Sequence, residues 1–257
     1  MRLYNEIIMK NCHIRCIMFL STIVIGMVFS CKPNAKQACV RQELFDLKTM
    51  VEQQIQNEAH RISDQLTAFS KVVAADRDFS MKLFVEGNRS APEVTDLTHR
   101  FMEPMGFSLL EITDSAHMLL SCAEFPASTG TKVSEKAALL SERGRFIYDN
   151  VKGQKVLTLQ AQIRFKILDT LFYCIGGRII DDAFVSQLSP GNGFRLVLKG
   201  ERLMGLNAPQ TISNIKDSSV VINATVYPAT SISLPFTGEG ESPMLLLIDE
   251  KAVIQKS

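Results

Sequence analysis

The chain has 257 residues, and its 28 lysines and arginines against 27 aspartates and glutamates give a formal net charge of +1 at pH 7. A balance so close to neutral offers no electrostatic support for nucleic-acid binding, so we expect no nucleic-acid partner. The length is enough for a single hydrophobic core and a helical appendage, once a leader is set aside.

The first feature along the chain is an uncharged apolar run, residues 16–31, between Arg15 and Lys32. At about 1.5 Å per helical residue the run would be roughly 24 Å long, which is short for a membrane span and long for the core of a secretion signal. We therefore expect residues 1–31 to be a signal-anchor or a lipoprotein signal segment. Everything after Lys32 is then expected outside the cytoplasm.

The end of this run leaves two kinds of membrane attachment open. Residues 28–31, Val-Phe-Ser-Cys, have the shape of a relaxed lipobox, in which the cysteine is acylated after cleavage, so Cys31 is a candidate lipidation site. The alternative is an uncleaved anchor whose last residue happens to be cysteine.

Residues 34–86 contain neither proline nor glycine and predict one continuous helix, with Asn34 able to cap its start and Gly87 able to end it. Apolar residues recur about every 3.6 positions between Leu44 and Val73, which is the period of a straight helix with one packed face. Because this helix directly follows the membrane segment, we expect residues 34–88 to act as a stalk. Its other face would be solvated or would meet a second copy of the chain. Of these two we expect the second, a homodimer through the long helix.

A second, short helix is predicted by a capping box at Ser90 and Glu93, and it should stop before Pro104. From residue 107 the apolar pattern changes to a period of two, which is typical of strands. The predicted strands are 107–113, 117–122, 145–151, 155–167, 171–175, 194–199, 220–226, 231–234 and 244–248, with helices at 134–142 and 181–188.

The clearest of these strands is 155–167, where apolar residues such as Leu159 and Ala161 alternate with polar ones such as Gln160 and Arg164. One face of the strand is therefore expected to be core and the other to be solvated. Helices on one side of a mainly antiparallel sheet make an α+β domain.

Three cysteines follow the leader, namely Cys39, Cys122 and Cys174. An odd number at wide spacing predicts no disulfide framework, and Cys122 and Cys174 are expected to be buried thiols because both lie in predicted strands. The histidines share no metal-ligand spacing and no nucleophile-elbow pattern occurs, so we assign no metal, no cofactor and no catalytic residue. The pair Asp181 and Asp182 is interpreted as a helix cap.

The polar side of strand 155–167 is the best candidate for a ligand site. Its side chains, with those of the two neighbouring strands, would offer a cation, amides and phenols to a small polar or anionic ligand. The alternative is that this face meets only solvent or the long helix. The candidate ligand-binding residues are Tyr148, Asp149, Gln160, Gln162, Arg164 and Tyr173.

Residues 110–115 ahead of a strand, residues 176–184 before a short helix and residues 234–236 near the end resemble the extracytoplasmic sensor region of bacterial two-component histidine kinases. The resemblance is to its Cache-type, PAS-like domains and covers roughly residues 40–250. It implies a long N-terminal helix packed on a mainly antiparallel PAS/Cache-like sheet that binds a small ligand. The sensor domain would then be residues 89–257, after the leader and the stalk.

The resemblance also implies a function, the input module of a two-component signal transduction system. Such a module would be anchored in the bacterial inner membrane, with its domain in the periplasm or outside the cell. Proteins of this family usually continue into a kinase transmitter, and no such segment is present before Ser257. We therefore expect the sensor part of a histidine kinase, without a catalytic domain in this chain and with a separate or lost transmitter. The alternative is an envelope lipoprotein that binds a solute or has a structural, interaction role.

Overall fold

The computed structural model describes residues 33–205, 208–209, 211–216 and 218–256. The predicted membrane segment and Cys31 lie outside these residues. The chain divides into two compact units, Met1–Phe45 and Asp46–Ser257. Among the helices of the described residues, none is both long enough and apolar enough to cross a membrane.

The first helix, α1, runs from Pro33 to Ala75 and has the predicted apolar stripe. From Val51 onward the stripe is buried, as the 3.6-residue period requires for a helix that packs on a domain. The buried side chains are Val51, Ile55, Ala59, Ile62, Leu66, Phe69 and Val73.

The prediction of one helix to residue 86 is wrong, because α1 ends at Ala75 and Asp76 is the N-cap of a new helix. Asp76 has an extended backbone (φ −74°, ψ 111°), and its carboxylate accepts a 2.9 Å hydrogen bond from the backbone N–H of Phe79. Aspartate competes with a continuing helix in this way because it satisfies the free N–H groups of a new first turn. The new helix, α2 (Arg77–Ser80), continues as a π-helical turn, Met81–Val85.

The next two helices are α3 (Pro92–Thr95) and α4 (Leu97–Met102), which ends before Pro104 as predicted. The capping box is wrong, since the N-cap of α3 is Ala91 and no side chain caps it. Proline at the first helical position needs no donor, so the helix can begin there without the cap.

The first sheet has five antiparallel strands in the order β2-β1-β5-β4-β3. A short helix, α5 (Ser134–Leu139), lies in the connection from β2 to β3. The strands are β1 (Leu109–Asp114), β2 (Leu119–Cys122), β3 (Arg145–Val151), β4 (Gln154–Ile167) and β5 (Thr170–Ile179).

Helix α6 (Asp182–Leu188) follows β5, and Asp181 caps it by accepting from the N–H of Phe184, which confirms the predicted cap. The remaining strands form a second antiparallel sheet in the order β7-β6-β11-β10-β9-β8, with β12 paired to β10. They are β6 (Phe194–Lys199), β7 (Leu203–Met204), β8 (Ser213–Lys216), β9 (Ser219–Ile222), β10 (Thr225–Ser233), β11 (Met244–Asp249) and β12 (Gln255–Lys256).

The predicted single strand 220–226 is in fact a hairpin, made of the end of β9, a two-residue turn and the start of β10. Asn223 and Ala224 both have positive φ, 47° and 61°. Two such residues make the tight turn that matches the twist of a hairpin.

Helix α1 packs on one face of the first sheet, and α5 covers the other. A Cβ atom added at Gly176 of β5 would lie 2.8 Å from Leu66 of α1, which shows how close the helix comes. The two sheets are joined by backbone hydrogen bonds of Phe146 in β3 with Pro235 and Thr237, which follow β10. The described residues thus confirm the α+β class, a long helix on mainly antiparallel strands.

Candidate functional site

The polar face of the first sheet is the face that carries Glu111, Asp149, Thr158, Gln160 and Gln162. Strand pairing puts these residues on one side, since Arg145 of β3 and Gly177 of β5 both pair with Gln160. Side chains two residues apart along a strand share a face. Thr158 and Gln162 therefore lie on the same side as Gln160, Asp149 lies on that side of β3, and Glu111 on that side of β1, where it pairs with Ile175.

Helix α5 and the residues after it close over this face. Ala137 and Leu140 pack with Ile147 and Ile175 of the sheet in one buried apolar cluster. The carbonyl oxygen of Ser141 accepts from the N–H of Gln162 at 3.2 Å, so the segment is also tied to β4 by its backbone.

This cover makes the expectation of a solvated face wrong for Thr158 and Gln160, neither of which has measurable exposed surface. Further along β4, Arg164 is exposed, as expected. Alternation of apolar and polar residues indicates two chemically different faces, but it does not say what covers the polar one.

Gln160 and Asp149 form the centre of a buried hydrogen-bond network. The side-chain amide of Gln160 donates to Asp149 Oδ2 at 2.7 Å and to Thr158 Oγ1 at 2.8 Å. Thr158 Oγ1 in turn donates to the carbonyl oxygen of Ile147 at 2.9 Å. Both donor hydrogens of the Gln160 amide are thereby used, and its orientation is fixed.

Lys136 of α5 supplies the positive charge of this network. Its Nζ lies 2.6 Å from Asp149 Oδ2 and 2.9 Å from Glu111 Oε1. Burial alone would lower the pKa of Lys136, but the two carboxylates outweigh it and raise the pKa above its usual value. For Asp149, burial would raise the pKa, and Lys136 and Gln160 together lower it. The pair is therefore ionised at neutral pH.

Several buried acceptors on or beside the polar face have no hydrogen-bond partner among the described residues. A buried polar atom without a partner costs about 1–3 kcal/mol, so a cluster of such atoms points to a group that would satisfy them. The atoms are Glu111 Oε2, Thr113 Oγ1, Ser134 Oγ, Ser141 Oγ, Gln160 Oε1 and Gln162 Oε1.

A second polar cluster lies where β1 pairs with β2. Cys122 Sγ is 3.4 Å from Glu124 Oε2, and Glu111 lies directly across from Cys122. Burial, followed by the neighbouring carboxylate, raises the pKa of Cys122 to about 12 and that of Glu124 to about 7. Cys122 and Cys174 are both buried free thiols, as predicted.

The structure brings five of the six predicted ligand residues to the polar face. Asp149, Gln160 and Gln162 lie under α5. Tyr173 and Arg164, which pair across β5 and β4, lie nearer the other end, where the Tyr173 ring is 4.8 Å from that of His117.

Tyr148 faces the other way, because neighbouring residues of a strand point to opposite faces. Its hydroxyl accepts from the N–H of Glu201 at 3.2 Å, and Lys155 lies over its ring at 5.0 Å from the centroid. Tyr148 therefore does not share a surface with Asp149.

Sequence reasoning missed Glu111, Glu124 and Lys136. A signal was present for Glu111, because it is a charged residue in an otherwise apolar stretch, Leu109 to Ile112. No comparable signal marks Lys136, which lies on a short helix between the exposed Glu135 and the buried Ala137.

A separate groove of about 690 Å³ lies between α1 and residues 232–235. Its walls include Ile55 and Leu159, and its polar groups include His60 and Arg143, which are exposed. The polar face is the stronger candidate because its polar groups are buried and incompletely satisfied.

No protein-family model matches the sequence, and no curated protein matches it. Several solved structures are similar to the chain. The periplasmic domain of Vibrio cholerae LuxQ is 14% identical, with 80% of this chain and 99% of that chain covered and a TM-score of 0.50.

The ligand-binding domain of the Campylobacter jejuni chemoreceptor Tlp3, in complex with L-valine, is 10% identical, with 86% and 98% covered and a TM-score of 0.53. The V. cholerae histidine kinase DctB sensor domain is 9% identical, with 85% and 98% covered and a TM-score of 0.46. At such identities a likeness is one of fold. The chain has the PAS/Cache-like α+β fold of extracytoplasmic sensor domains, as the resemblance in sequence implied.

Proposed function

We propose that the chain is an extracytoplasmic sensor module that binds a small polar ligand on the polar face of the first sheet. The hydrogen bonding of the Gln160 side chain is the observation that supports this proposal. Its amide nitrogen is fully used by Asp149 and Thr158, while its oxygen is buried and has no partner among the described residues. The side-chain oxygen of Gln162, on the same face, is likewise buried and has no partner among the described residues.

The ligand class follows from the chemistry of this face. Two amide oxygens need hydrogen-bond donors, and the buried charges nearby are the carboxylates of Glu111 and Asp149 against the single ammonium of Lys136. A ligand with N–H or O–H donors, such as an ammonium group, suits this surface better than a simple anion. The similar Tlp3 domain is in complex with L-valine. Free amino acids are therefore our first probes.

A contact between the first sheet and the long helix supports the proposed coupling. Gln160 pairs with Gly177 on β5, and the next residue, Arg178, forms an ion pair with Glu58 of α1 at 2.9 Å. A ligand that shifts β4 against β5 would therefore displace α1, which is how a bound ligand biases an output. In the proposed module α1 passes this shift to a membrane anchor, a dimer partner and a separate or lost transmitter.

Ligand binding is tested by thermal unfolding of the full chain with each common amino acid in turn. A ligand that binds only the folded state stabilises it by about 2.7 kcal/mol at one hundred times its Kd. We expect at least one amino acid to raise Tm in the wild type, and Gln160→Met to abolish that rise. Gln154→Met, the same exchange at the exposed start of β4, should keep it. An unchanged rise in Gln160→Met would exclude the polar face.

Dimer formation and signalling are tested by single cysteines placed along residues 44–73. Crosslinking between copies should occur and should change when the ligand identified above is added. A pattern with no dimer, or one that the ligand leaves unaltered, would contradict coupling through α1.

The lipobox-like residues 28–31 favour a second candidate, an envelope lipoprotein that binds a solute or supports an envelope complex. Labelling with radioactive palmitate separates the two. Acylation at Cys31 with loss of residues 1–30 supports the lipoprotein, whereas an unlabelled, uncleaved chain supports the anchored sensor.

A further inference from the structure

Three side chains of the kind that bind metals meet at the β1–β2 end of the polar face. They are Glu111 on β1, Cys122 at the end of β2, and Glu124 two residues later, and each has a ligand atom within 4.8 Å of the other two. What these three side chains hold is independent of the ligand proposed for Gln160 and Gln162.

Strand pairing explains why Glu111 and Cys122 are so close. Ala123 N–H donates to the carbonyl oxygen of Leu110 at 3.0 Å, so the adjacent pair, Glu111 and Cys122, is of the type without mutual backbone hydrogen bonds. In an antiparallel sheet that type brings the two side chains nearest to each other.

A second observation points to a ligand at this place. The Glu111 side chain is nine-tenths buried, and its Oε1 is held by Lys136 at 2.9 Å. Its other oxygen, Oε2, is buried and has no partner among the described residues. A buried carboxylate oxygen in that state is costly unless a donor or a cation satisfies it.

The arrangement of charges in the cluster favours a cation. Two carboxyl groups and one thiol, all of which can become negatively charged, have ligand atoms within 4.8 Å of one another. A cation among them would stabilise their deprotonated forms. Lys136 does not neutralise the whole cluster, because its two ion pairs are with Glu111 and Asp149.

We propose that Glu111, Cys122 and Glu124 bind one divalent transition metal ion, and that Zn²⁺ fits best. One sulfur and two carboxylate oxygens suit a borderline ion, whereas Ca²⁺ and Mg²⁺ require oxygen ligands alone. Binding forms the metal–sulfur bond and releases the Cys122 proton to solvent. Three protein ligands leave a fourth position free, and Glu124 is only half-buried, which gives the ion a way in.

The test is a titration of the metal-depleted full chain with Co²⁺, followed by displacement with Zn²⁺. We expect a thiolate-to-cobalt charge-transfer band that Zn²⁺ removes at one equivalent. Cys122→Ser should abolish the band, and Glu124→Gln should weaken Zn²⁺ binding at least tenfold. Cys39→Ser, at an exposed thiol, is the matched control and should leave both unchanged.

Four results would overturn the proposal. The first three are the absence of the charge-transfer band in the wild type, its persistence in Cys122→Ser, and wild-type Zn²⁺ affinity in Glu124→Gln. The last variant changes a half-buried residue, so it keeps the test decisive even where Cys122→Ser fails to fold. Displacement of Co²⁺ by Ca²⁺ or Mg²⁺ as effectively as by Zn²⁺ would also rule out a site with a thiolate ligand.

Discussion

Arg178 of β5 donates a hydrogen bond to Glu58 of α1, with Nη1 2.9 Å from Oε1. Glu58 accepts two more from Arg61 one turn along the helix, at 2.6 and 2.8 Å. Because β5 is the middle strand of the order β2-β1-β5-β4-β3, this pair ties α1 to the centre of the first sheet.

Glu58→Gln should destabilise the fold by about 2 kcal/mol at neutral pH, the usual size for hydrogen bonds to a charged group. The hydrogen bonds from Arg61, with help from Arg178, outweigh burial and lower the pKa of the Glu58 carboxyl. A lowered pKa gives stability that is present above the unfolded-state value and is lost as the pH falls through the folded-state value. The difference in Tm between wild type and Glu58→Gln should therefore shrink between about pH 6 and pH 3.

The exposed pair Lys82 and Glu86, at 2.9 Å, provides the control for this experiment. Exposed ion pairs contribute little, so Glu86→Gln should leave Tm and its pH dependence unchanged. A Glu58→Gln difference that stayed constant across this pH range would show that the charge of Glu58 is not the source of its effect.

Lys136→Met, on α5, should be among the most destabilising single changes around the polar face, at about 3–5 kcal/mol, because it leaves buried carboxylates without their partner. The affected groups are Glu111 and Asp149. The loss in free energy of unfolding is measured by urea unfolding of the variant and the wild type. Lys132→Met, an exposed lysine just before α5, is the matched control and should be close to neutral. Equal stability of the two variants would contradict the network described for the polar face.

Gly177→Ala and Gly176→Ala should differ in cost although the residues are neighbours. A Cβ at Gly177 would overlap the backbone carbonyl of Leu159 and lie 2.9 Å from the Gln160 Cα, so the strand itself must move. A Cβ at Gly176 meets the end of the Leu66 side chain, which can rotate. We expect about 3 kcal/mol for Gly177→Ala and about 1 kcal/mol for Gly176→Ala in urea unfolding. The reverse order would be incompatible with this packing.

Asp76→Ala should cost about 1 kcal/mol, the typical contribution of an N-cap. Because the cap acts on the first turn of α2, hydrogen exchange should speed up over residues 77–85 and remain unchanged in the middle of α1. Asp76→Asn keeps the acceptor and should restore most of the stability. Asp76→Asn as unstable as Asp76→Ala would instead assign the effect to the ion pair with Arg100, at 3.9 Å.

Much of the fold was predictable because it depends on local periodicity. The strand Arg145–Val151 and the strand Phe194–Lys199 were predicted with the bounds that the structure has. The separation into two sheets was not predictable, since it depends on which strands pair over long distances along the chain. The end of α1 at Ala75 was missed because Asp76 fits a helical pattern as well as it fits a cap.

The residues of the candidate site were predictable only where they lie on β4 or on the strand that precedes it. Gln160 and Gln162 were found because alternation along β4 marks them, and Asp149 because β3 precedes β4. Lys136 comes from a helix whose position over the sheet no local pattern encodes. Tyr148 was grouped with Asp149 by closeness along the chain, although adjacent strand residues face opposite ways.

The hydrogen bonds that Phe146 forms with Pro235 and Thr237 have a consequence for solubility. β3 is the outermost strand of the first sheet, and an open outermost strand is a template on which another polypeptide can assemble. The chain's own return from β10 occupies part of that template. Aggregation by strand addition is thereby hindered at Phe146, because its backbone N–H and carbonyl groups already have partners within the chain.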